Sequence, residues 1–344
     1  MSVTSSFFGV TAAGKPVRRF TISDEAGMSA VVSDYGAILV SLYVPCSDGS
    51  VRDVVLGYDT LAEYERGGFF GATVGRHANR ISGAAFSLEG VRYHLADNDN
   101  GCNLHSDFRL GFHKQLWDAE ILPDGVRFSR LSPDGECGFP GNLNISVTYT
   151  LDQDHGLHIR YEGVSDQTTL INLTNHSFFN LSGHDTGSVL RHNVQLLCSR
   201  FLEIREGRLP TGRILPVEGT PFDFRSMRRI ADAIDLADPQ LRFAAGYDHC
   251  YVTDAGGQLR KAALVEAPDA SLRMEVSTDL PGVQFYTANF LPVQSGKDGA
   301  VYGPHSALCL ETEYFPDSIH FPQFPQAVFA AGEHYHAETI YRFS

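Results

Sequence analysis

No stretch of about 18 consecutive apolar residues occurs in the 344-residue chain, so no segment is long enough to cross a bilayer as a helix. Positive charge is also scarce. Lys and Arg number 27 against 41 Asp and Glu, the formal net charge is -14 with His neutral, and no run of Lys or Arg occurs. Nucleic acid and anionic membranes attract basic patches, so neither is expected as a partner and a small neutral ligand fits better. The six cysteines, Cys46, Cys102, Cys137, Cys198, Cys250 and Cys309, have no C-x-x-C spacing. That argues against a zinc site or a disulfide framework and predicts reduced thiols. Met1 to Val10 carries no basic stretch followed by an apolar core, so a soluble, cytoplasmic protein is expected. The N-x-[ST] sequences at Asn144, Asn172, Asn175 and Asn180 then read as polar strand residues. A phosphate loop, a strand-G-x-G-x-x-G-helix unit, H-E-x-x-H and G-x-S-x-G are all missing, which removes sequence support for nucleotide binding, a zinc site and an esterase elbow.

What the chain does have is apolar residues, 43% of the total, enough for a sizeable core. Short β-type runs recur at Ser29 to Val32, Leu39 to Val44, Gly90 to Leu95, Leu143 to Leu151, Gly156 to Glu162, Thr169 to Thr174, Leu272 to Ser277, Val283 to Phe290 and Ala307 to Glu313. Turn clusters such as Pro123-Asp124-Gly125 and Pro133-Asp134-Gly135 punctuate them. Helical periodicity is confined to pieces near Thr60 to Glu65 and Met227 to Leu236. With no linker and no repeat, residues 1–344 are expected to form one all-β domain, a large antiparallel sandwich.

Two segments are dense in groups able to move protons. Strand alternation over Ile171 to Leu181 places Asn172, Thr174 and His176 together, and an imidazole there can act as general acid or base or serve as a hydrogen-bonded structural group. Glu311 and Glu313 end the apolar run from Ala307 and share one strand face, about 6 to 7 Å apart at Cβ. Such a pair is either a solvated strand end or a site in which repulsion and burial raise one carboxyl's pKa. A third cluster, Gly71 to Ile81, holds Arg76, Asn79 and Arg80, which suit either a surface or sugar hydroxyls. The loop Asn98 to His105 and the segment Gly246 to Tyr251 around Asp248 are weaker signals. His334-Tyr335-His336 has a conceivable metal spacing, but no third ligand accompanies it, and no metal site is expected.

In order along the chain, Gly71-x-x-x-Gly75-Arg76-x-Ala78-Asn79-Arg80-Ile81, Asn103-x-His105, Asn172 to Leu181, Tyr247-Asp248-His249, Pro281 to Phe290 and Leu310-Glu311-Thr312 with Pro316-Asp317-Ser318 resemble the aldose 1-epimerase family, the galactose mutarotases. The ending Thr339 to Ser344 looks like that family's last strand. The resemblance implies a galactose mutarotase-like β-supersandwich with a few short helices, acting on a small-molecule sugar without metal or organic cofactor, as a monomer or homodimer. It further implies Glu311 as general base, His176 as general acid, and Asn79, Arg80, His105, Asp248 and Gln284 as substrate contacts.

Three departures stand out. Ser106-Asp107 replaces two glycines, Phe178 replaces a Tyr, and Glu313 replaces a frequent Gln. The rival readings are an enzyme of the same fold acting at another carbon or on a phosphorylated sugar, with Arg76, Arg109 or Arg225 supplying cations, and a non-catalytic carbohydrate-binding sandwich.

Overall fold

Apolar-polar alternation is clearest in the strands Leu143–Leu151 and Gly156–Ser165, which bury Ile145, Val147 and Tyr149 on one and Leu157, Ile159 and Tyr161 on the other. In the computed structural model, which describes residues 1–344, they pair antiparallel near the middle of a nine-stranded sheet. Its order is Asp118–Ile121, Gly125–Ser132, Leu143–Leu151, Gly156–Ser165, His334–Phe343, Arg273–Thr278, Arg260–Glu266, Asn193–Leu196 and Arg228–Arg229, antiparallel throughout. A five-stranded sheet runs Leu209–Pro216, Arg200–Arg205, Asp248–Val252, Gly282–Tyr286 and Cys309–Glu313. The N-terminal residues from Ser2 to Asp53 form another five-stranded sheet in sequence order.

All three sheets feed one apolar core of 58 buried residues that extends from Phe20 to Phe343. Alternation in the second sheet decides where the polar groups go. Tyr247, Tyr251, Val283, Phe285, Leu308 and Leu310 face the core, so Asp248, Gln284 and Glu311 face the other way.

The α-helices are three and short: Leu61–Arg66, Ile230–Ala233 and Pro239–Ala244. Thr60 caps the first through a capping box with Glu63, close to the expected piece. The helical stretch expected over Met227 to Leu236 contracts to one turn, and Pro239–Ala244 takes over. The signal for it was Asp238-Pro239: the Asp carboxylate accepts from the N–H groups of Gln240 and Leu241, and the proline occupies the first turn. Strands Ser2–Val10, Pro16–Ser23, Gly125–Ser132, Arg200–Arg205, Leu209–Pro216, Asp248–Val252 and Arg260–Glu266 were not anticipated, because charged residues interrupt several of them and burial follows partners distant in sequence.

Two residues of the Gly71 to Ile81 segment prove architectural. Gly71 has φ +66, and a Cβ there would lie 1.9 Å from the Leu39 carbonyl oxygen, so only glycine fits. Arg76, 1% exposed, is no sugar ligand. Its guanidinium donates to Ser132 Oγ and O at 2.7 Å, to Pro140 O and Gly141 O at 2.7 Å, and to Pro133 O at 2.8 Å, tying down the 132–141 loop. Burial pushes its pKa down to about 10. Because Arg76→Met strands several buried carbonyls, it should destabilise the fold by roughly 3 to 5 kcal/mol in urea denaturation. A midpoint equal to that of the wild type would mean that the loop holds itself.

Candidate active site

The segments that carry the polar residues converge because the sheets bring their strands into register. Gln284 lies opposite Glu311 across one antiparallel pair, and Cys250 lies opposite Gln284 across the next, which puts Asp248 on the diagonal. Strand Thr174–His176 pairs with Ala72–Val74, setting His176 opposite Ala72. Strand Arg80–Ser82 pairs with Cys102–Leu104, which carries His105 to the same place. The result is a cavity of about 450 Å³ lined by Asn79, Arg80, His105, His176, Asp248, Gln284 and Glu311 together.

His176 Nε2 lies 3.5 Å from Glu311 Oε2. The imidazole is flanked by Phe178, stacked at 4.8 Å and 5°, and by Phe69 at 5.7 Å and 13°. Its Nδ1 is 3.6 Å from the Cys309 thiol. Ring packing thus holds the imidazole plane. Neither Phe69 nor Cys309 was singled out from sequence, because both look like core residues until their neighbours are known.

Asn79 and His105 hold each other. The backbone N–H of Asn79 donates to His105 Nδ1 at 3.1 Å, and the His105 N–H donates to the Asn79 carbonyl at 3.0 Å. Both residues have positive φ, 59° and 55°. Ser106 follows at φ 66°, tolerated without glycine because its hydroxyl donates to His77 O and accepts from the His77 N–H. Asp107 Oδ1 accepts from the N–H groups of Arg109 and Leu110, closing the loop. Arg80 donates through Nε to Asp99 at 2.8 Å, and its terminal nitrogens have no protein acceptor. Gln284 Nε2 donates to Asp248 at 2.7 Å, while Gln284 Oε1 and Glu311 Oε2 have no partner. Orphaned groups around a cavity are what a polyhydroxylated ligand satisfies.

Burial dominates the electrostatics. It pushes the His176 pKa down to about 3 and that of His105 well below its ordinary value. The Glu311 carboxyl is held well above the usual carboxylate range by burial, then by Glu313 and Asp248. The resting proton of the pair therefore sits on Glu311, whereas the acid role expected for His176 requires a charged imidazole.

The donor atoms of His105, His176 and Glu311 lie within 4.8 Å of one another, close enough to consider a metal ion. The Asn79 N–H occupies the lone pair of His105 Nδ1, so the proton is on Nε2. That nitrogen offers a hydrogen-bond donor rather than a ligand, which suits a sugar oxygen better. His336 is instead 3.8 Å from Asp279 on the nine-stranded sheet, remote from this cluster. The cations weighed for a phosphorylated substrate are placed elsewhere: Arg76 is consumed by the 132–141 loop, Arg225 pairs with Asp223, and Arg109 lines an adjoining groove. Arg66 and Arg208 line the cavity instead, with Arg208 over the Phe290 ring and 3.3 Å from Asp99.

A sandwich of this topology, with a buried carboxyl-imidazole pair in a cavity of orphaned hydrogen-bonding groups, has the parts of an acid-base site for a polar ligand. A family model described as aldose 1-epimerase matches residues 18–342. Galactose mutarotase of Mus musculus is 41% identical over 347 residues, covering 100% of this chain and 99% of that protein. Aldose 1-epimerase of Escherichia coli (strain K12) is 38% identical over 335 residues, 96% of each. Among solved structures, an aldose epimerase homologue from C. elegans superposes with TM-score 0.87 at 28% identity, covering 99% of both chains. Galactose 1-epimerase from Lactobacillus acidophilus NCFM gives 0.86 at 26%, covering 100% of this chain and 99% of that one. The chain belongs to the aldose 1-epimerase family. Its activity is that of a sugar epimerase.

Desolvated imidazoles also set the acid stability. His77 and His192 are pushed down to about 4, His113, His176 and His249 to about 3, and His105 well below its ordinary value, all by burial. The unfolded chain binds protons at these groups from about pH 6.5 downward while the folded chain does not, so stability is full above 6.5 and is lost toward pH 3. Glu311 and Glu313 act in the opposite sense, but two carboxyls oppose six imidazoles. Each unprotonated imidazole removes about 1.4 kcal/mol per pH unit. The melting temperature should fall steadily from pH 7 to pH 5; a flat profile would contradict the buried neutral state.

Proposed function

We propose that this enzyme interconverts the α and β anomers of a free aldose, with galactose or glucose as substrate, and that residues 1–344 act as one unit. The observation that carries this reading is the 3.5 Å approach of His176 Nε2 to Glu311 Oε2 inside the cavity. Two proton-transfer groups at that spacing reach the C1 hydroxyl and the ring oxygen of one pyranose, which share a carbon. Support for the substrate class comes from relatives named galactose mutarotase over essentially the whole chain.

In the reaction Glu311 takes the proton of the C1 hydroxyl. The O–H electron pair becomes the second C1–O1 bond, the bond from C1 to the ring oxygen breaks, and that oxygen takes a proton from His176. The open-chain aldehyde then turns about C1–C2 by about half a rotation. In reclosure the C5 hydroxyl attacks the opposite face of the carbonyl, returns its proton to His176, and O1 takes a proton from Glu311. Asn79, Arg80, His105, Asp248 and Gln284 hold the remaining hydroxyls, and His105 donates from Nε2.

The pair needs one proton in all. With ring sugar it is arranged as carboxylate and imidazolium; with open-chain sugar as carboxylic acid and neutral imidazole. Burial gives the empty site the second arrangement. Substrate hydroxyls that donate to Glu311 weaken its hold on the proton and allow its transfer to His176. Above the pH at which the pair loses that proton, the reaction stops.

Polarimetry of freshly dissolved α-D-glucose and α-D-galactose tests the reading. Wild type should speed the approach to anomeric equilibrium, and His176→Ala and Glu311→Gln should each lower kcat by about 10² to 10⁴. Turnover undiminished in Glu311→Gln would remove the base assignment.

A further inference from the structure

Glu313 takes no part in the proton transfers above and does not line the cavity, yet it is wholly buried directly behind it, against the lining residue Asn79. Two residues beyond Glu311 on one strand, it presents its carboxyl to the same face. One oxygen accepts from Asn79 Nδ2 at 2.9 Å, and the other has no partner. A buried carboxyl with an unsatisfied oxygen is costly to keep, and the neutral side chain of the same shape, glutamine, would remove the charge.

The groups that face it come from three directions. Glu311 shares its strand; Asn79 and Arg80 approach from the segment entering Arg80–Ser82; Asp248 and Cys250 approach from Asp248–Val252. The adjoining strand Gly282–Tyr286 contributes the amide of Gln284 and, beside Glu311 and Asp248, the phenol of Tyr286. Arg80 is the one cation in this set, and Asp99 engages its Nε. One half-compensated cation cannot balance charge on both Glu311 and Glu313 beside Asp248, so one of the two glutamates retains its proton.

We propose that Glu313 is a positioning residue whose carboxylate, anchored by Asn79, keeps the catalytic proton on the neighbouring His176–Glu311 pair. Burial raises the proton affinity of both carboxyls, but the Asn79 amide hydrogen lowers that of Glu313 alone, so of the two this group ionises first. Its charge then opposes ionisation of Glu311, in keeping with the raised proton affinity there. The pair stays loaded into the neutral and alkaline range. A glutamine would still accept from Asn79 but would not hold the proton.

The inference rests on Glu311 as the proton-accepting group, and the experiment separates the two. The pH dependence of kcat/KM is measured by polarimetry on wild type, Glu313→Gln and Glu311→Gln, after subtraction of the uncatalysed rate. The alkaline limb in Glu313→Gln should move to lower pH by at least about half a unit, equivalent to roughly a threefold loss at a fixed pH on that limb. An inactive Glu311→Gln together with an unmoved limb in Glu313→Gln overturns this inference alone. A fully active Glu311→Gln overturns both.

If Glu313→Gln does not fold, infrared difference titration of wild type and Glu311→Gln decides. Two buried carboxyl bands should titrate in separate steps in wild type, and Glu311→Gln should lack the later one. Loss of the earlier step instead would mean that Glu311 ionises first and would overturn the proposal.

Discussion

Desolvation of the His176–Glu311 pair is the constraint on which the rest of this structure turns. At 6% and 3% exposure, neither group can rely on water to carry charge, so burial drives the imidazole toward neutrality and the carboxyl toward protonation. Glu313 and Asp248 reinforce the second effect and leave Arg80 as the near counter-charge. A reaction that passes one proton from carboxyl to imidazole and back needs the two protonation patterns to lie close in energy, and a site free of bulk water lets a few nearby charges set that balance.

Such a site needs a rigid frame. The second sheet supplies it by alternation: the residues that bury Phe285 and Leu310 in the core oblige Gln284 and Glu311 to face the cavity. A one-residue slip would bury the carboxylate in the core instead. Phe69 and Phe178 flank the imidazole, and the reciprocal bonds of Asn79 and His105 join two segments held in left-handed backbone, at Asn79 and at His105-Ser106. Ser106 shows that such a loop does not require glycine when its side chain satisfies a neighbouring backbone.

Much of this was legible in the chain. The all-β character followed from short apolar runs separated by turn residues. The seven candidate site residues, read from ordered motifs along most of the length, all line one cavity. Less visible were Arg76, whose motif context pointed toward ligand binding as readily as toward the five carbonyl and hydroxyl bonds it makes, and the strands broken by charged residues. Helix Pro239–Ala244 carried its own signal in Asp238-Pro239, but it is too short for periodicity to reveal.

The sequence by itself determined composition, charge, strand alternation and the identity of the groups able to move protons, because these depend on residue type and local spacing. Only the tertiary structure decided which of those groups meet and in what protonation state. His176 and Glu311 are 135 positions apart in sequence and 3.5 Å apart in space, and their proton affinities come from burial and from neighbours on other strands. Desolvation is a property of the packed site, and no local pattern along the chain encodes it.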